Sequence, residues 1–228
     1  MSWQHELGRA RAVAWKDLTA ERRVLANFVS LSVLAVVILM LFGFAFGPET
    51  EAVRTAAAAV LWLTVLLSGV LAFNRSYQLE LESGAFDTLL LYPGSRVPIF
   101  VGKLLANLAF VLLVEAVMVP VAAVLYHLPL VTPMPGLFGV LLLGTVGFVT
   151  LGTFYAAMAS RLRAREVLLP LLLFPMMVPL LVAAVGATSA ILVGDPMGDA
   201  RAWITLLVVF DIVVLVASLL VVEHVLEG

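Results

Sequence analysis

Residues 74–98 read NRSYQLELESGAFDTLLLYPGSRVP, a polar and acidic stretch inside a chain that is otherwise almost wholly apolar. Six apolar runs surround it, at roughly 28–46, 55–73, 99–126, 136–158, 167–187 and 203–222. Each is about the 20 residues that a helix needs to cross a hydrocarbon core. The polar stretch is therefore read as the loop between the second and third of six membrane spans.

Composition supports that reading. Of 228 residues 63% are apolar and only 12% are charged, with a mean hydropathy of +1.14. A soluble domain is about half apolar and a quarter charged, so lipid must cover part of this surface. The runs leave little chain for anything else, and residues 1–228 are read as one all-α transmembrane domain.

The distribution of basic residues sets the expected orientation. Arg9, Arg11, Lys16, Arg22 and Arg23 precede the first span. Arg75, Arg96 and Lys103 lie in or beside the second loop, and Arg161, Arg163 and Arg165 crowd the fourth. The other loops hold only Arg54 and Arg201. Cytoplasmic loops carry the excess of Lys and Arg, so both termini and the 74–98 loop are expected on the cytoplasmic side. The absence of cysteine excludes disulfides and thiolate chemistry. The first apolar run is too long for a signal-peptide core, and no small-x-small site follows Phe46. Residues 1–26 read instead as a cytoplasmic interfacial helix, with Trp3, Leu7, Ala10, Ala14 and Leu18 on one face.

The fourth run carries Gly139, Gly144, Gly147 and Gly152 with Thr145, Thr150 and Thr153. Small residues let helices approach closely in lipid, so this span is expected inside the bundle. Pro170, Pro175 and Pro179 predict kinks in the fifth. The apolar pattern then continues through Ala183–Val193 to Gly194 and Pro196, too short to cross again. An outer re-entrant segment over 183–202 is expected, the alternative being a lengthened fifth helix.

Within the polar loop, Tyr77, Leu81, Ala85, Thr88 and Leu89 recur at helical spacing, with Glu80, Glu82 and Asp87 between them. The pattern predicts a short helix over 77–92 lying across the cytoplasmic surface, interrupted at Gly84 and ended by Pro93-Gly94. Lys103 is placed to extend from the base of the third span to the head-groups.

The order E-x-E-x-G-x-x-x-x-L-L-x-x-P, present as Glu80, Glu82, Gly84, Leu89, Leu90 and Pro93 and followed by Gly102-Lys103-Leu104, resembles the coupling segment of ABC-2-type transporter permeases. More narrowly, Trp15-Lys16-Asp17-Leu18, Glu21-Arg22-Arg23, Trp62 and Asn74-Arg75-Ser76 make the whole chain similar to the CcmB family of bacterial cytochrome c maturation. Ser83 stands where an acidic residue is expected in many relatives. The resemblance implies a six-helix permease in the bacterial inner membrane that exports haem or drives release of a haem-loaded chaperone. It also implies a CcmA-type ATPase subunit that receives residues 77–92, a second copy of the chain and a CcmC-type haem-handling membrane protein. ATP and Mg²⁺ would then belong to the ATPase and haem to the complex, with no cofactor held by this chain itself. Nothing in the loops reads as a nucleic-acid surface.

Other residues bear on competing functions. Glu115 and Asp211 lie midway along the third and sixth spans, where an acid costs roughly 2.5–3.5 kcal/mol on insertion scales. They either line a substrate or proton path, as in an ion-coupled secondary transporter, or bond a neighbouring helix and hold the bundle together. Haem iron takes His or Met ligands. His127 is the one histidine expected on the outer side, whereas Met176-Met177 reads as core filling. No metal site and no catalytic set emerge. Gly102-Lys103 lacks the first glycine and the Ser or Thr of a P-loop, with Val97 and Leu104 in those places. His5-Glu6 is followed by Arg9 where a zinc protease needs its second histidine.

Overall fold

The computed structural model describes residues 8, 10–15, 21–47, 50–82, 96–128, 134–159, 165–194 and 198–227. Helix is the only regular structure among them, as expected where no water is present to satisfy an open backbone. Six long helices follow in order: α1 (Glu21–Phe46), α2 (Thr50–Glu82), α3 (Val97–Leu125), α4 (Met134–Ala159), α5 (Arg165–Val193) and α6 (Ala200–Glu227). Each contains one of the six apolar runs, apart from Tyr126, which caps α3. All six are long and apolar enough to cross a bilayer. The chain is a multi-pass membrane protein.

Two helices form the interior. About two-thirds of the membrane windows of α2 and α4 are buried (67% each), against 17% for α1 and 22% for α6. The small residues of α4 account for its place, as the sequence suggests. Gly144 lies against the Trp62 indole and Gly152 against the Phe73 ring, both from α2, leaving no room for a side chain. Trp62 and Phe73 are themselves fully buried, and Phe73 meets Phe148 of α4 with ring centroids 5.1 Å apart. The outer helices turn apolar stripes outward, as at Leu25, Val29, Val33, Val37 and Phe44 of α1. Such stripes are what lipid tails cover.

The structure corrects the re-entrant expectation. Residues 183–193 continue α5 as one helix through Pro170, Pro175 and Pro179 to Val193. Gly194, at φ 92°, then turns the chain. Packing explains the choice. Ala183, Ala184, Ala187 and Thr188 are fully buried, and the Trp62 Nε1–H donates to Thr188 Oγ1 at 2.9 Å. A hairpin would break those contacts and open backbone groups at membrane depth.

A second correction concerns the polar loop. Its first part is not a separate surface helix: the backbone of 74–82 continues α2 without a break. No glycine or proline stands between Val70 and Ser83, so nothing in the sequence stops the helix before Gly84. The remainder of the expected 77–92 helix, with Gly84, Asp87, Leu89, Leu90 and Pro93, lies outside the described residues.

Candidate functional site

The polar residues singled out from sequence fall at three levels of the bundle. At the end expected to face the cytoplasm, α3 starts at Val97, with Pro98 in the first turn, where its missing N–H costs nothing. One turn further on, Gly102 forms a seat. A Cβ there would stand 2.7 Å from the Ala10 carbonyl oxygen and 2.7 Å from Val13 Cβ. Residues 10–15 are helical, with Ala10, Val13 and Ala14 buried and Trp15 exposed. The apolar face read for this segment thus rests partly on protein, not on lipid alone. The structure also corrects the reading of Lys103. It is 1% exposed and enclosed by the bundle, not extended to the head-groups. The α2 extension ends nearby in sequence at Glu82. Tyr77, Glu80, Leu81 and Glu82 have their backbone on that extension.

At mid-depth the two acids flank α4. Glu115 of α3, 4% exposed, accepts a hydrogen bond from Thr145 Oγ1 at 2.5 Å. Asp211 of α6, 7% exposed, lies against Gly147, where a Cβ would collide with its Oδ1 and stand 2.8 Å from Leu180 Cδ1. Neither Asp211 oxygen has a hydrogen-bond partner among the described residues. Positions 145 and 147 are two residues apart and so face opposite sides of the helix at nearly one depth. The acids are brought to the same helix but not to one pocket. A void of about 10 Å³ adjoins Glu115, bordered by Leu31, Val65, Phe110 and Met118. At most one water fits such a space.

One polar pair escaped the sequence reading. Asn107 Nδ2 donates to Thr153 Oγ1 at 3.0 Å, both buried. Asn107 and Glu115 are eight residues apart on α3, and their partners Thr153 and Thr145 are eight apart on α4 in the opposite order. The repeated spacing is the signal that was available. Polar residues eight apart on two successive spans, in antiparallel register, mark a hydrogen-bonded seam.

At the far end His127 is exposed in the turn after α3, at φ 52°. Of the methionine pair, Met177 is fully buried, but Met176 is 46% exposed and so is not core filling. Among the described residues no three His, Asp or Glu side chains come together to hold a metal.

Comparison with known proteins adds to this geometry. Residues 9–227 match the family model described as CcmB protein. The chain belongs to the CcmB family. Within it, the chain is 30% identical to Heme exporter protein B of Pseudomonas aeruginosa over 191 residues, covering 82% of this chain and 85% of that one. It is 34% identical to the Rhodobacter capsulatus protein of the same name over 172 residues, covering 75% and 78%. With the Paracoccus denitrificans protein, identity is 33% over 188 residues, covering 82% and 86%.

Proposed function

We propose that this chain is the membrane-spanning permease subunit of an ABC transporter acting in bacterial cytochrome c maturation. It lies in the inner membrane with both termini in the cytoplasm, the side to which its basic loops point. A separate ATPase subunit binds and hydrolyses ATP with Mg²⁺. This chain contributes no catalytic residue and receives the motion through residues 77–92. A second copy and a haem-handling membrane protein complete the assembly.

The observation that carries this reading is the unbroken run of α2 from Thr50 to Glu82. A helix that crosses the membrane and continues for nine more residues moves as one rod. A push on Glu80 or Glu82 therefore tilts the buried face that carries Trp62 and Phe73. Exposed ion pairs contribute only about 0–1 kcal/mol each, so Glu80, Glu82 and Asp87 set register and partner choice, while Tyr77, Leu81, Leu89 and Leu90 supply the apolar seat.

Co-purification with the candidate ATPase tests the reading. The wild-type chain is expected to retain the ATPase and a Glu80→Lys/Glu82→Lys variant to lose it. A wild-type chain that retains none removes the proposal's main support. Haem titration of the complex then separates haem transfer across the bilayer from release of a haem-loaded chaperone. Transfer requires haem to bind the permease and its ATPase without the chaperone.

One observation favours a second reading, an ion-coupled carrier using Glu115 and Asp211: the carboxyl of Asp211 has no hydrogen-bond partner among the described residues. That reading requires activity to continue without the ATPase and to stop when the proton gradient is collapsed.

A further inference from the structure

The buried stripe of α6 runs through Leu207, Asp211, Val214, Ser218 and Val222. Two of its five residues are polar, and the Asp211 carboxyl has no hydrogen-bond partner among the described residues. A buried polar group without a partner raises the free energy of the state that contains it. The other polar face of α4, toward α3, is different in kind, because Thr145 and Thr153 are both engaged there. Among the described residues α4 is thus bonded to α3 at two points, while Asp211 of α6 only packs against it.

Thr150 lies one turn along α4 from Gly147 and so on the side turned to α6. It is fully buried, and its hydroxyl is occupied by its own helix, at 2.7 Å from the Val146 carbonyl oxygen. A hydroxyl both donates and accepts, so Thr150 suits a carboxyl placed beside it. Successive spans alternate in direction, so α4 and α6 run parallel. A slide of α6 along α4 by about 5 Å, one helical turn, carries Asp211 from Gly147 to Thr150.

We propose that α6 has two registers on α4, one turn apart, and that the structure shows the one with Asp211 on Gly147. In the other, Asp211 bonds Thr150. Packed helices change register in discrete turns because side chains interlock. The α3–α4 pair, held by its two hydrogen bonds, is the body against which α6 moves. Only the source of the driving force rests on the permease reading; the two registers belong to the chain itself.

The absence of cysteine permits a direct test by paired substitution in native membranes. Phe154→Cys with Ser218→Cys reports the register seen here, since both lie seven residues beyond the Gly147–Asp211 level. Phe154→Cys with Leu215→Cys reports the shifted one, since the three-residue slide brings 215 to the level of 154. A disulfide requires Cβ atoms within roughly 4.5 Å, so oxidation resolves the two. Both products are expected. In the shifted pair, Thr150→Val or Asp211→Leu is expected to lower the yield about fivefold, the population change that about 1 kcal/mol makes, and Asp211→Asn to restore it. The proposal is overturned if the shifted product is absent, if neither substitution reduces it, or if the in-register pair fails to cross-link. With the ATPase co-expressed, nucleotide trapping should change the ratio of products. Two products whose ratio ignores nucleotide keep the registers and remove the permease reading.

Discussion

The Thr145 hydroxyl of α4 donates to the Glu115 carboxyl of α3 across the middle of the bundle. With the Asn107–Thr153 bond it forms a two-rung seam, about 12 Å from rung to rung at 1.5 Å per residue. Both rungs join α3 to α4, as a Glu115 that holds the bundle together requires. Glu115→Gln keeps an acceptor for Thr145 and is expected to retain full cytochrome c maturation. Glu115→Leu is expected to lower the melting temperature in detergent. Loss of maturation in Glu115→Gln at unchanged stability would point to a proton path.

The second rung should show pairwise coupling. Asn107→Ala and Thr153→Ala each destabilise the chain, and the double variant costs less than the two together. The expected coupling is about 0.6 kcal/mol, the average for hydrogen bonds between membrane helices, with about 1.7 kcal/mol as the upper end. Thermal or denaturant unfolding of the four proteins measures it, and strict additivity contradicts the seam.

Trp62 joins α2 to α5 through Thr188 and fills the notch at Gly144. Trp62→Phe keeps most of the volume and loses one bond, about 0.5–1.5 kcal/mol. Trp62→Ala empties the site and is expected to cost about 3–5 kcal/mol. Gly144→Leu should be as damaging as Trp62→Ala, because it forces the indole out. Circular dichroism melts in one detergent give the comparison.

His127 occupies a left-handed backbone conformation that costs an L-residue roughly 1–2 kcal/mol. His127→Gly relieves this at some cost in unfolded-chain entropy and is expected to be neutral or stabilising by up to about 1 kcal/mol. His127→Val is expected to destabilise. If the residue serves only the turn, His127→Ala leaves the haem spectrum of the complex unchanged; a shifted Soret band would make it a ligand.

Most of the architecture was legible because lipid imposes a single strong rule. Every span must be apolar for about 20 residues, so helix number follows from counting. The burial of α4 was legible too, since its glycines have no other use at that density. What sequence did not reveal were choices between two allowed continuations. Ala183–Val193 suits a re-entrant turn or a longer helix, and the contact of Thr188 with Trp62, 126 residues away, decides it. The chain at 74–82 is polar enough for a loop, yet it contains no breaker, so the helix runs on. Lys103 was misplaced for the same reason: its cover depends on the position of helices that a one-dimensional pattern does not locate.

The seat of residues 10–14 on Gly102 has a consequence for biogenesis. The segment leaves the ribosome ahead of α1–α6, whereas its binding site is completed about 90 residues later, roughly 5–20 s at elongation rates of about 5–20 residues per second. During that interval its apolar side has no protein to rest on, and the bilayer surface is the available shelter. Docking on Gly102 therefore closes this end of the bundle only once the third span has been made, which places the contact late in assembly.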